Sequence, residues 1–302
     1  MMRFMKALFV FPLHFALQIF NLCFWGGLII VLGIVKLIPL TFLRQTINPV
    51  IANFEIAFGV CSISLLKFFN RINIDYRVSS ELSKDQWYLV TVNHRSYLDV
   101  ILVMDFAYQR IPAPKFFLKK ELIWLPVIGL GAWALDMPFM QRFSKAQITK
   151  NPNLAGKDIE TTRKKCKKYK STPTTVVNFA EGTRFTLAKH QEKQSPYTHL
   201  LRPKAAGLAF TLNTMGEQFT ELLDITLIYP ENEGHPMMDM LCGRMKRIII
   251  DVTSVPISND LRGNYDIDED FKAYFQQWLN RLWANKDRCI TSYLNVQDST
   301  AP

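Results

Sequence analysis

The sequence contains no C-x-x-C pair, and its five cysteines (Cys23, Cys61, Cys166, Cys242 and Cys289) are an odd number scattered over 302 residues. That pattern excludes a disulfide framework and a cysteine-rich zinc site, and it fits a reducing compartment. Charge is missing from the start of the chain: between Lys6 and Lys36 there is no Lys, Arg, Asp or Glu. No A-x-A-like cleavage site follows this run, which argues against a removable secretory leader. Also missing are internal repeats, a G-x-S-x-G nucleophile elbow and any recognisable module for reading nucleic acid. Aromatic residues are plentiful at 13% and apolar residues reach 49%, which excludes a disordered chain. The mean hydropathy of +0.04 is too low for a bundle of membrane spans, so the hydrophobicity must be concentrated locally.

Residues 7–35 hold that concentration. As a helix this stretch would be roughly 43 Å long, enough to cross a hydrocarbon core of about 30 Å. It reads as a retained membrane anchor, either one span or, broken at Pro12 and Gly26-Gly27, two shorter helices in the interface. Residues 48–70 include Glu55 and Lys67 and suit an interfacial or protein-packed helix. Basic residues lie on both sides of the anchor, so charge does not orient it.

From about residue 73 the texture becomes globular. The chain therefore divides into N-terminal membrane-anchoring helices, 1–72, and an α/β domain with a C-terminal amphipathic helix, 73–302. Apolar runs predict buried strands at 86–93, 174–180, 222–229 and 244–255. Helices are expected at 96–110 with Ser96 as N-cap, and from Pro203 to about Met215. The last thirty or so residues place Phe271, Phe275, Trp278, Leu282 and Trp283 at helical spacing. Strands separated by helices argue for an α/β fold. The net charge is +10, and one basic cluster, residues 157–170, is either a solvated helix face or a cationic face for anionic lipid headgroups. Nucleic acid is not an expected partner.

Of the five histidines, His14 lies in the anchor, and His190, His199 and His235 lie in polar segments. His94 differs, because it directly follows a buried strand and precedes a helix start, where open α/β sheets build their sites. A helix N-terminus beside it disfavours imidazolium and keeps the ring in the neutral state a general base needs. Asp99, five residues on, can turn back to accept the Nδ1–H and leave Nε2 as acceptor. The same S-x-x-D spacing is also a plain capping box.

A second constellation, Glu181-Gly182-Thr183-Arg184, leaves another buried strand at the same edge of the sheet. Gly182 permits close approach of a ligand, Thr183 and Arg184 can donate to a phosphate, and Glu181 can orient the arginine or bind a hydroxyl. The plain alternative is a tight turn with a surface Glu–Arg pair. Between the two constellations, Lys119 and Lys120 precede an apolar run, LIWLPVIGLGAWAL, that is either buried core or a wall for an acyl chain.

The blocks NHRSYLD (93–99), PFMQR (138–142), FAEGTR (179–184) and TLIYP (226–230) stand in the order and approximate spacing of the four blocks of the glycerolipid acyltransferases. Over most of residues 75–255 the chain resembles the lysophosphatidic acid acyltransferase (1-acylglycerol-3-phosphate O-acyltransferase, PlsC-like) family, and looks closest to the bacterial YihG-like inner-membrane acyltransferases. The resemblance implies a mixed sheet flanked by helices behind the hydrophobic N-terminus. It implies transfer of a fatty acyl group from acyl-CoA or acyl carrier protein to the hydroxyl of 1-acylglycerol-3-phosphate, giving phosphatidic acid. Lysophosphatidylglycerol or a lysocardiolipin is the alternative acceptor, and a non-catalytic membrane-binding module is the rival of another class.

Carried over residue by residue, His94 is the general base and Asp99 its orienting partner. Arg142 and Arg184 hold the acceptor's phosphate, Glu181 and Gly182 shape that pocket beside Thr183, and Lys119 is a further candidate. Pro230 belongs to the fourth block. The family needs no metal or prosthetic group. The implied partners are a membrane lipid acceptor, an acyl thioester donor and an anionic membrane surface, at a bacterial inner membrane with the domain facing the cytoplasm. In the third block, which usually reads F-P-E-G-T-R, Ala180 replaces the proline, which relaxes φ, restores an N–H and bears on acceptor identity.

Overall fold

A computed structural model describes residues 2–140, 169–265 and 267–298. The chain opens with two long apolar helices, α1 (Met2–Val35) and α2 (Thr41–Asn70). α1 runs unbroken through Pro12 and the Gly26-Gly27 pair. α2 ends where Arg71 takes a left-handed conformation and its N–H caps the Lys67 carbonyl. The two helices pack on each other through a short polar seam: the Asn21 amide donates to Ser62 Oγ (2.9 Å) and the Gln18 amide to the Ser62 carbonyl (3.0 Å).

The strands are β1 (Ile74–Val78), β2 (Trp87–Val92), β3 (Pro114–Phe116), β4 (Leu118–Lys119), β5 (Phe139–Met140), β6 (Thr175–Phe179), β7 (Phe219–Ile228) and β8 (Ile248–Pro256). Six of them form one mixed sheet in the order β1-β8-β7-β2-β6-β3, and β4 and β5 make a separate pair. Pairing is parallel throughout the six except between β7 and β8. The strands β7, β2, β6 and β3 therefore run the same way and deliver their C-terminal ends to one edge. The helices beyond the first two are α3 (Leu98–Ala107), α4 (Ile128–Ala134), α5 (Leu187–Glu192), α6 (Ala206–Met215), α7 (Pro236–Leu241) and α8 (Glu269–Asp298).

Side chains alternate across the strands and build a core on each face of the sheet. Val90, Val177, Leu223 and Ile250 face α1 to α4, while Leu89, Val176, Leu222 and Ile249 face α6 and α8. On the α8 side, Phe275, Leu279, Trp283 and Ile290 are buried. Lys286 on the same helix face is buried too, and its ammonium lies 2.8 Å from the Asp224 carboxylate and donates to the Ile225 carbonyl. Burial pushes the Asp224 carboxyl up, against the pull of Lys286.

The N-terminal hairpin is part of the first core. Ile51, Ile63 and Leu66 of α2 are fully buried among sheet and α3 residues. Burying each such side chain contributes on the order of 2 kcal/mol. The contacts run the length of both helices. On α1, Val10 lies against Gly243, Gly26 against Val127 and Gly33 against Ala134, and just past its end Lys36 pairs with Asp136 at 2.8 Å. On α2, Glu55 pairs with Lys115 at 3.3 Å, Gly59 abuts Met104, and the Asn70 side chain bonds both Met240 and Met245. From Val10 to Lys36 this docking extends over roughly 39 Å of helix. The boundary at 72/73 falls between α2 and β1, yet the hairpin and the sheet share one core.

Some boundaries differ from expectation. β8 starts only at Ile248, since Arg244, Lys246 and Arg247 precede it as a polar lead-in. α6 starts at Ala206 rather than Pro203. Of the apolar run 122–135, part is core (Gly129, Ala132, Ala134) and part faces outward.

Candidate active site

Where β2 ends, Asn93 prolongs its pairing with β7: the side-chain amide donates to the Leu227 carbonyl (2.9 Å) and its oxygen accepts the Leu227 N–H (2.8 Å). The next residue, His94, is thereby set at the sheet edge. Its ring lies against Phe179 at 4.3 Å between centroids, with the side chain 16% exposed. Nδ1 is 2.8 Å from Asp99 Oδ2, the arrangement expected from the spacing. With Nδ1 as donor, Nε2 is the acceptor.

Asp99 is fully buried and surrounded by donors. Besides His94, Oδ2 accepts the N–H groups of Arg95 (2.6 Å) and Ser96 (2.8 Å), and Oδ1 accepts the Tyr229 hydroxyl at 2.5 Å. The carboxylate thus holds the imidazole and gathers the N–H groups of the turn at once, keeping only the reach-back half of a capping box. Ser96 is not the N-cap. α3 begins at Leu98 with Tyr97 before it, because the backbone first wraps the Arg95 and Ser96 N–H groups around Asp99. The Ser96 hydroxyl instead accepts the Leu98 N–H at 3.2 Å. Tyr229 is buried, and burial together with the adjacent Asp99 charge pushes its phenol well up, keeping it a donor.

The second constellation meets the first through the backbone. The register of β2 with β6 pairs Val92 with Phe179, which sets His94 opposite Glu181. Glu181 Oε1 accepts the His94 N–H and Oε2 the Leu201 N–H, both at 3.1 Å. The His94 carbonyl accepts the Phe185 N–H at 2.7 Å. Glu181 therefore positions the His94 turn, and its oxygens point to peptide N–H groups. Burial pushes its carboxyl up to about 8, although those two donors pull the other way. Gly182 has φ +67°, a conformation side chains disfavour, and closes the turn with its N–H on the Phe179 carbonyl.

Arg184 is half-buried with its guanidinium 3.8 Å from the Tyr97 ring centroid, a cation–π contact that aims it along the His94 side of the edge. The Thr183 hydroxyl accepts from the Lys189 ammonium (2.9 Å), which leaves its own proton for another acceptor. Lys189 also donates to the Arg184 carbonyl at 3.1 Å. Its ammonium is held below the ordinary lysine value by partial burial first, then by the charges of Arg184, Lys193 and Lys119. Lys119, exposed on β4, therefore belongs to the same positive field.

Arg142 and residues 157–168 of the basic cluster lie outside the described residues. Ala180 is buried, and its carbonyl accepts the Lys204 N–H at 2.8 Å. Pro230 is half-buried just past β7. Among the described residues no cluster of His, Cys, Asp or Glu is placed to hold a metal ion.

Sequence reasoning missed Tyr229, Lys189 and Arg95. Tyr229 stood in plain view within TLIYP, beside the proline that drew notice instead. Lys189 follows the third block by one helical turn. Arg95 lies over Phe185 at 4.6 Å and ties the loop after Pro230 down by donating to the Glu233 carbonyl at 3.1 Å.

Residues 73–219 match the model of the family described as Acyltransferase. The 1-acyl-sn-glycerol-3-phosphate acyltransferase delta of Homo sapiens is 25% identical over 215 residues, covering 68% of this chain and 52% of the human protein. The 2-acyl-1-lysophosphatidylinositol acyltransferase of Saccharomyces cerevisiae is 23% identical over 257 residues, covering 73% of this chain and 64% of the yeast protein. The chain thus spans about half to two thirds of the length of these curated relatives. The crystal structure of the 1-acyl-sn-glycerophosphate (LPA) acyltransferase PlsC from Thermotoga maritima shares the fold, with a TM-score of 0.57 at 16% identity over 94% of this chain and 98% of that one. The matched segment, residues 73–219, carries His94, Asp99 and the Glu181–Arg184 turn, so the similarity to the Acyltransferase family falls on the candidate site itself.

Proposed function

We propose that the protein transfers a fatty acyl group from an acyl thioester, acyl-CoA or acyl carrier protein, to the free hydroxyl of 1-acylglycerol-3-phosphate. The observation that carries this is the His94–Asp99 pair at 2.8 Å, set at the sheet edge and hydrogen-bonded through its backbone to the turn bearing Arg184. His94 Nε2 takes the hydroxyl proton as the acceptor's oxygen attacks the thioester carbonyl. The C–S bond then breaks, and the departing thiolate takes the proton back from the imidazolium. Asp99 holds the tautomer and offsets the imidazolium charge. Arg184, Thr183, Lys189 and Lys119 form the positive field for the acceptor's phosphate, with Arg142 a further candidate by motif.

The lengthwise docking of α1 and α2 supports an in-plane association with one leaflet. If the hairpin crossed the bilayer, the sheet edge with its buried Asp99 would be drawn into hydrocarbon alongside it. The catalytic edge then faces the cytoplasm, where thioesters are made. The test offers the purified chain a panel of lysophospholipids with each type of thioester and identifies products by mass. Phosphatidic acid is the expected main product. A preference for lysophosphatidylglycerol or lysocardiolipin would reassign the acceptor, and transfer to no lysolipid would overturn the reading.

A further inference from the structure

Between Glu121 and Asp136 the chain carries no charge, yet part of this run is turned outward. Trp124 is 85% exposed, Leu125 and Ile128 each 44%, and Leu130 50%. These side chains sit on a built turn. A Cβ added to Gly129 would come within 2.2 Å of the Ile123 carbonyl oxygen, so the backbone doubles back tightly there. Val127 is held at φ +62°, which is strained for a β-branched residue. The inner side of the turn is fastened to α1. A Cβ on Gly26 would meet Val127 Cγ1 at 2.4 Å and one on Gly33 would meet Ala134 Cβ at 2.4 Å. These glycines, seven residues apart, share one face of the helix. Lys36 closes the far end by donating to the Ala134 carbonyl (2.9 Å) and pairing with Asp136.

We propose that residues 122–130 are a membrane-inserting element distinct from the hairpin, and that its occupant is the interfacial and acyl layer of a lipid bilayer. The inference rests on the membrane association proposed above. Three observations select lipid. The exposed apolar residues sit on a turn fastened to α1, a helix that itself exposes Val31 and Ile34 nearby in sequence. The element is flanked by the exposed pair Lys119 and Lys120, at the level where anionic headgroups would lie. Its leading Trp has the amphipathic ring suited to that boundary. The element is also close in the chain to the proposed site: it follows β4, and just before β4 the Phe117 N–H bonds the Val177 carbonyl of β6, the strand that runs on into the Glu181 turn. Inserting this turn sets the mouth of the site on the leaflet that holds the acceptor.

The experiment uses the full chain with phosphatidylcholine–phosphatidylglycerol vesicles containing acyl chains brominated near the interface. Wild type should lose tryptophan emission, and Trp124→Phe should lose clearly less. The triple variant Trp124→Ser, Ile128→Ser, Leu130→Ser should bind vesicles roughly tenfold more weakly with its melting temperature retained. It should also acylate a short-chain, water-soluble acceptor at the wild-type rate while slowing on the vesicle-embedded one. Should the triple variant not fold, the quenching difference alone decides. Wild type that binds vesicles with equal quenching in Trp124→Phe would overturn this element and leave the hairpin reading standing. Wild type that binds no vesicles would overturn both.

Discussion

On one face of the sheet, α1 and α2 turn Leu8, Phe9, Phe20 and Phe42 outward, all more than half exposed. On the other face, α8 turns out Gln277, Asn280, Arg281, Asn285 and Arg288. Inward, both layers follow the same recipe of close-packed aliphatic and aromatic side chains on alternating strand positions. The difference lies in the outer surfaces, apolar on the hairpin side and polar on the α8 side. The edge that carries the candidate site belongs to neither layer. It is made by the ends of parallel strands held between them.

The comparison breaks most visibly at the edge. His94→Ala should cost roughly 10²–10⁴-fold in acyl transfer while leaving the melting temperature unchanged. Equal rates for variant and wild type would move the chemistry elsewhere. On the water-facing layer, Lys286→Met should destabilise by about 3–5 kcal/mol in urea unfolding, because Asp224 is left buried without its partner. Adding Asp224→Leu should restore most of that. On the hairpin layer, Leu66→Ala should cost about 2–5 kcal/mol in the unfolding of the whole chain in detergent. A separable anchor would leave the sheet's transition where it was, so this measurement distinguishes a shared core from a tether.

A further test concerns pH. Glu181 has a folded value of about 8, above its ordinary 4.5, so the native protein holds a proton that the unfolded chain releases. Stability should fall as pH rises from about 4.5 to about 8, and Glu181→Gln should flatten that slope. A slope kept by the variant would assign it to other groups.

The sequence carried the central strands clearly. WYLVTV and TVVNF are buried on both faces and read as continuous apolar runs. β3, β4 and β5, of two or three residues, carry no local signal, since neighbouring strands alone define them. Pro12 and the Gly26-Gly27 pair suggested breaks in α1. One proline removes a single hydrogen bond in a long helix, and Gly26 serves close approach to Val127. In the site, His94 and Asp99 were legible because both lie in one turn. Tyr229 is 130 residues from Asp99, and the bracing role of Glu181 follows from the parallel register of β2 and β6, a tertiary fact.

The crowding of donors around Asp99 has one more consequence. Four donors converge on that carboxylate, three at Oδ2 and the Tyr229 hydroxyl at Oδ1, and they fix its position against the imidazole. In the proposed reaction, with Nδ1 tied to Asp99, a proton captured at Nε2 leaves through that same nitrogen. On that proposal the pair is a one-door relay that returns to its starting condition whenever a leaving group reclaims what the alcohol gave up.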